Sequence, residues 1–265
     1  MKLIDVCINL MNPAYDKDRD EVVKAAAAAG VAPLVITGSS EQSSLGAALY
    51  ASSYNEREPG SLYTTAGVHP HEAKNCGDST IDLLRELVLE KDARAIGECG
   101  LDYNRDFSPR YEQRRWFVKQ AELAAELSVP LFLHVRDAFE DFSAILSEFA
   151  SSVPAVVVHC FTGTSEELEY YLSLGCYIGI TGWICDERRG QDLHELVKII
   201  PPDRLLLETD APYLLPRDLP FKLKSRRNES SFLPHIAETV ARCLGKDTAE
   251  LASETYANSK RFFGI

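Results

Sequence analysis

Hydrophobic positions along the chain fall into short runs, rich in β-branched residues, that alternate with longer stretches of helical period. Eight runs read as strands: Lys2 to Ile8, Pro33 to Thr37, Tyr63 to Val68, Ala93 to Gly97, Pro130 to Leu133, Ala155 to Val158, Tyr177 to Ile180 and Leu205 to Leu207. Each is followed by a candidate helix. Asp16 to Ala29 is rich in Ala and charge and stops at Gly30, while Ser165 to Leu174 opens on a capping residue and ends at Gly175. Others are expected near 41–56, 80–91, 109–127, 138–149 and 188–200. Strict alternation implies parallel strands, because a parallel pair needs a crossover connection. Eight such units predict closure into an α/β (β/α)8 TIM barrel, with residues 1–265 as one domain of a size usual for that fold. A doubly wound open sheet is the alternative, but the glycine-rich turn it carries after its first strand is missing. A long loop from Ala211 to Ser231 precedes two closing helices, near 232–244 and 247–262.

Polar residues interrupt the ends of these runs: Asn9, His69, Glu98, His134, His159 and Asp210. In a (β/α)8 barrel the carboxyl ends of the strands share one rim, and active sites are built there. One histidine so placed is an ordinary polar residue; a set of them meeting on one rim calls for a joint role. His194, on a helix, and His235, near a helix start, are read as ordinary. Imidazole nitrogens with carboxylate oxygens suit Zn, Mn, Fe or Mg. Glu98 lies in Ala-Ile-Gly-Glu-Cys-Gly, where Gly97 and Gly100 let the backbone turn tightly and bring the carboxylate into the barrel mouth.

Composition narrows the picture little: 45% hydrophobic and 26% charged residues mark an ordinary globular protein able to bury a core. The net charge of −12 argues against nonspecific coating of nucleic acid, which needs Lys and Arg against phosphates, but not against a nuclease with a local grip. Seven cysteines without a CxxC pair fit neither a disulfide framework nor a zinc ribbon, and read as reduced thiols of a cytoplasmic protein. The first ten residues lack the apolar stretch of a secretory signal, and no run approaches the roughly 20 apolar residues of a membrane span. No membrane partner and a monomer are expected.

The strings Thr-Ala-Gly-Val-His69-Pro-His71, Ile-Gly-Glu98-Cys-Gly-Leu-Asp102-Tyr, Leu-His134-Val-Arg136-Asp137-Ala, His159-Cys-Phe161-Thr-Gly and Leu-Glu208-Thr-Asp210-Ala-Pro212-Tyr resemble the signatures of the TatD family of metal-dependent deoxyribonucleases, across essentially the entire chain. Gly182 to Gly190 and Leu215-Pro-Arg-Asp-Leu219 resemble its bacterial branch. The resemblance implies a barrel of the metal-dependent hydrolase type and a cytoplasmic exonuclease that degrades single-stranded DNA, and RNA as a second substrate, from the 3′ end. Magnesium is the first choice of metal, with manganese or zinc open. One departure stands out. Most of the family opens with Asp-x-His-x-His, whereas this chain reads Asp5-Val-Cys7-Ile-Asn9. Alternation keeps residues 5, 7 and 9 on one face, but an amide oxygen is a weaker ligand than imidazole.

An asymmetric site is therefore expected. One ion is held by Glu98, His134 and His159, and a weaker one by Glu98, Asp210 and Asn9. Asp210 is ligand or general base to the attacking water, and both roles stay open. His69 is assigned to the scissile phosphate or its water, and Asp102, Arg136 and Asp137 to orienting ligands or phosphate. Lys222, Lys224, Arg226 and Arg227, in the loop after the eighth strand, are assigned to gripping the phosphate backbone. Tyr103, Phe107, Phe161, Trp183 and Tyr213 follow strand ends and are candidates to stack bases. The rival readings are a metallohydrolase of amides or aminoacyl esters and a non-catalytic nucleic-acid-binding relative.

Overall fold

The computed structural model describes residues 1–188, 190–221 and 225–265. Eight strands alternate with helices in the predicted order: β1 (Leu3–Ile8), α1 (Arg19–Ala28), β2 (Val31–Ile36), α2 (Glu41–Asn55), β3 (Leu62–Thr64), α3 (Thr80–Lys91), β4 (Ile96–Asp102), α4 (Arg110–Leu127), β5 (Leu131–Arg136), α5 (Phe139–Phe149), β6 (Val156–Val158), α6 (Ser165–Ser173), β7 (Tyr177–Ile180), α7 (Gln191–Leu196), β8 (Leu205–Leu207), α8 (Leu233–Leu244) and α9 (Thr248–Phe263). Strands β1 to β3 pair in parallel, as do β4 to β8. Two parallel bridges, Ala66 with Ile96 and Ile8 with Ala211, join these sheets at both seams, so the ring closes as a (β/α)8 barrel.

Local chemistry sets the helix ends. Thr164, not Ser165, caps α6: its hydroxyl accepts the Glu167 N–H while the Glu167 carboxylate accepts the Thr164 N–H at 2.9 Å, a reciprocal box. Gly175 then stops the helix at a φ of +76°. The helix expected over 188–200 is shorter, ending at Leu196 and tightening to a 3-10 turn over Val197–Ile199.

The largest departure is β4, which does not stop at Gly97 but runs on to Asp102. Gly97 and Gly100 keep it going by hugging β5: their φ values are +140° and +137°, and a Cβ on either would lie 2.0 Å from the carbonyl oxygen of Phe132 or His134. The pairing register shifts between Ile96 and Cys99, which turns the Glu98 side chain inward in mid-strand and leaves Asp102 at the strand end.

Two apolar layers surround the ring. Strands and helices pack through one continuous cluster that includes Leu34, Leu101, Phe117, Leu133, Phe142 and Ile236. Inside the barrel a second cluster of Ile4, Val6, Val35, Phe132, Val157 and Leu206 is completed by Phe262 and Phe263 of α9. That helix covers the amino-terminal end, where Asn258 donates to the carbonyl of Leu205 and Arg94 to that of Gly264. Phe132 sits between the plug and the site, its ring centroid 6.5 Å from Phe263 and 5.0 Å from His159. The floor of the rim is thus a dry, packed layer. No helix of the described residues is long and apolar enough to cross a membrane.

Candidate metal centre

Strands β4, β5 and β6 deliver Glu98, His134 and His159 to one point. Glu98 Oε1 lies 2.7 Å from His159 Nε2, 3.1 Å from His134 Nδ1 and 3.4 Å from His69 Nε2. Burial pushes the Glu98 carboxyl upward, but the neighbouring His159 and His69 rings and the hydrogen bonds from His134 and His159 overcome it and hold the group well below the usual carboxylate range. Burial opposes charge on His159 as well, yet Glu98 and Glu208 on either side raise it well above the ordinary value.

Both of these histidines, His134 and His159, have a carboxylate behind them. His134 Nε2 faces Asp102 Oδ2 at 3.6 Å, and His159 Nδ1 faces Glu208 Oε2 at 3.5 Å. Were a metal bound, such carboxylates would orient the rings so that the nitrogen aimed at Glu98 turns its lone pair to the ion. Both outer nitrogens and Glu208 Oε2 are buried and without a hydrogen-bond partner among the described residues. A cation drawing His134 and His159 inward is the natural use of that arrangement, and two nitrogens with a carboxylate oxygen are a donor set that divalent metals accept. Asp102 is anchored by His71 Nε2 at 2.7 Å and by the N–H groups of Asn104 and Arg105. Glu208 accepts the N–H of Cys160, whose left-handed φ of +48° swings it toward the carboxylate. Glu208 was given no role in the sequence reading, although an acid ending the apolar run Leu205–Leu207 is the signal that finds it.

His69 belongs to a different class. Its Nε2 lies close enough to join Glu98 and His134 about an ion, but its Nδ1 accepts the N–H of His71 at 3.1 Å. A neutral ring then carries its proton on Nε2, and burial keeps it neutral, well below the usual imidazole range. His69 faces the centre as a donor to oxygen.

Across the cavity, Asp210 follows β8 at a φ of +53°, its N–H bound to the carbonyl of Cys7 at 2.9 Å. Its Oδ1 accepts from Asn9 Nδ2 at 2.9 Å and lies 3.7 Å from Cys7 Sγ. Burial raises this carboxyl to about 7, against the pull of His159. The aim of Asp210 is set by Asp5, a second residue without an assigned role in the sequence reading. Its buried carboxylate accepts from Thr209 N at 2.9 Å and from the hydroxyls of Thr209 and Ser230, each at 2.6 Å. Left-handed, non-glycine conformations recur at Asp137, Cys160 and Asp210, just past β5, β6 and β8, and such backbone strain concentrates where a site is built.

A cavity of about 700 Å³ opens above these groups, lined by Asn9, His69, Glu98, His134, His159 and Asp210 and walled by Phe107, Trp183 and Tyr213. A neighbouring one of about 340 Å³ shares His134, Arg136, Cys160 and Trp183 with it and adds Phe161. Phe107 and Tyr213 are half exposed, as surfaces for stacking must be. Tyr103 lies outside both, its hydroxyl bound to Asp141, and Phe161 is buried. Arg136 is exposed, lines both cavities and has no side-chain partner among the described residues, and Arg105 adds a cation that the sequence reading passed over. Asp137 accepts from Asn104 at 2.7 Å, at the surface and away from the ligands.

The basic loop is split. Lys222 and Lys224 lie outside the described residues, and Arg226 is exposed. Arg227 is not available as a free grip: it is paired with Asp18 and Glu229, each at 2.7 Å, donates to the carbonyl of Ala14 and stacks 4.9 Å from the Tyr15 ring centroid. Its charge is spent on pinning the loop to the segment before α1.

The sequence matches the family described as TatD related DNase over residues 4–264. A 3′-5′ ssDNA/RNA exonuclease TatD from Escherichia coli (strain K12) is 49% identical over 263 residues, covering 99% of this chain and 99% of that protein. The protein of the same description from Erwinia tasmaniensis is 50% identical over 263 residues, covering 99% and 100%. Among solved structures, a hydrolase TatD family protein from Entamoeba histolytica is 28% identical with a TM-score of 0.88, covering 99% of this chain and 98% of that one. The match spans all eight strands, and the chain belongs to the TatD related DNase family of metal-dependent nucleases.

Proposed function

We propose that this nuclease removes nucleotides from the 3′ end of single-stranded DNA, and of RNA, with magnesium as its working ion and manganese or zinc as substitutes. The observation that carries the reading is the convergence of His134 and His159 nitrogens on Glu98 Oε1, within 3.1 Å, beside a cavity open to a polymer. Full-length likeness to relatives described as 3′-5′ ssDNA/RNA exonucleases supports the polarity and the substrates.

In this reading Glu98, His134 and His159 hold the first ion, and Asp210 with Asn9 contributes to a second. The bound metal supplies Lewis acidity at the phosphoryl oxygen and acidifies water. Asp210, with a carboxyl near pH 7, takes the proton of the attacking water or binds metal once ionised. His69 donates Nε2–H to a phosphate oxygen, and Arg136 and Arg226 hold phosphates farther along the strand. Trp183, Phe107 and Tyr213 offer faces to bases, which suits unpaired strands over a duplex. We take the protein to act as a monomer in the cytoplasm, with its seven cysteines as free thiols.

The test uses metal-depleted protein given Mg, Mn or Zn with end-labelled single-stranded DNA, RNA and duplex. A ladder shortening one nucleotide at a time from the 3′ end is expected. Internal cuts, 5′ trimming or preference for duplex would overturn the assignment.

A further inference from the structure

Outside the catalytic centre, a second set of metal-binding side chains meets where two rim loops touch. Cys185 lies in the turn after β7, Asp218 in the loop after β8 and His235 in the first turn of α8, with one donor atom of each within 4.8 Å of the other two. Cys185 is only 4% exposed, His235 Nε2 lies 2.6 Å from Asp218 Oδ1, and Asp218 opens to solvent. We propose that Cys185, Asp218 and His235 form a structural zinc site that ties the loop after β7 to the loop after β8.

The donor set decides the metal. A thiolate with an imidazole and a carboxylate suits zinc and is poorly matched to magnesium, whereas the catalytic centre offers nitrogen and oxygen. Tetrahedral zinc spaces its donors by roughly 3.4 Å. The present spacings bracket that value, with His235 and Asp218 2.6 Å apart and all three donors within 4.8 Å. The thiol proton leaves to solvent, and a water completes the fourth position on the Asp218 side. The Cys185 thiol, which has Thr239 as its present hydrogen-bond partner, would exchange that contact for the ion.

The position gives the site a purpose. Arg217, next to Asp218, reaches Asp186 at 3.7 Å and Glu187 at 3.6 Å, next to Cys185, so charge already bridges the same seam. The loops are pressed together: a Cβ on Gly182 would lie 2.3 Å from the Leu214 carbonyl oxygen. Trp183 and Leu214, from opposite sides of the seam, both line the catalytic cavity. Zinc here holds one wall of the substrate site without touching the chemistry.

Zinc content after gel filtration and cobalt absorption of the metal-depleted full chain test this. Because the catalytic centre also takes zinc, the difference between proteins is what counts. Wild type should retain one more zinc per chain than Cys185→Ser and than His235→Gln, and zinc should raise the unfolding midpoint further in wild type than in either variant. Cobalt should give a near-ultraviolet thiolate charge-transfer band that disappears in Cys185→Ser and persists in Cys7→Ser, Cys7 being the thiol beside the catalytic centre. Should Cys185→Ser fail to fold, His235→Gln, altered at a partly exposed ring, decides. Equal zinc content in wild type and His235→Gln, or a band that follows Cys7, would overturn the proposal.

Discussion

On the β4 to β6 side of the cavity two imidazoles meet one carboxylate oxygen, and each ring is backed by a carboxylate of its own, Asp102 or Glu208. On the β1 and β8 side Asp210 has only the amide of Asn9 and the thiol of Cys7. Both halves are backed by a buried acid: Asp5 accepts from Thr209 beside Asp210, and Asp102 stands 3.6 Å behind His134. They differ in ligand strength. On the proposed reading, a site so built would bind one ion well and leave the second to be completed by substrate oxygens.

The largest effect should come from Glu98, the one group common to both halves. Glu98→Ala is expected to lower kcat by roughly 10³-fold or more, beyond the 10–100-fold typical of a supporting partner, with the unfolding transition kept. Near-normal turnover at saturating magnesium or manganese would remove the proposed centre altogether. Next come the carboxylates behind the rings. Asp102→Asn and Glu208→Gln should each weaken the first ion by about 10–100-fold while sparing the second. Equal weakening of both ions in calorimetry would show that the halves are not separable.

Proton linkage sharpens the same contrast. Asp210 holds its proton to about pH 7, so at lower pH the β8 side offers a neutral carboxyl. A proton competes with metal there, and affinity for the second ion should rise by up to about tenfold per pH unit below 7 and level off above it. Asp210→Asn should flatten the profile. Asn9→His is expected to tighten the second ion by roughly an order of magnitude, the gain of imidazole over amide oxygen. Unchanged stoichiometry and affinity would mean that Asn9 only orients Asp210.

The smallest effects belong to the loop after β8, where Arg226 and Arg227 part company. Arg226→Ala should raise KM for an oligonucleotide a few-fold and lower the salt slope by about one, leaving a small chromogenic phosphodiester unaffected. Arg227→Ala should instead cost about 1 kcal/mol of stability through its partly exposed ion pairs, with little change in salt slope. If Arg227→Ala also flattens the salt dependence, its pairs open to let it meet phosphate.

The sequence determined the order of eight strand and helix units, the closing helices and the rim on which Glu98, His134, His159 and Asp210 meet, because hydrophobic period and chain direction are local properties that survive without coordinates. The weaker donors of the amino-terminal half were also legible, as Asp5-Val-Cys7-Ile-Asn9 offers a thiol and an amide and no imidazole. Only the tertiary structure decided what each polar group faces. Glu98 sits in mid-strand because Gly97 and Gly100 press on β5, a contact with a segment more than 30 residues away. Glu208 and Asp5 act through partners on other strands, and His69 becomes a donor through a hydrogen bond to the backbone of His71. Arg227 reads as a phosphate grip in a basic run until Asp18, 209 residues distant, is seen to hold it. Charge and polarity are written in the chain, but pairing depends on distance in space, which the packing of the barrel alone sets.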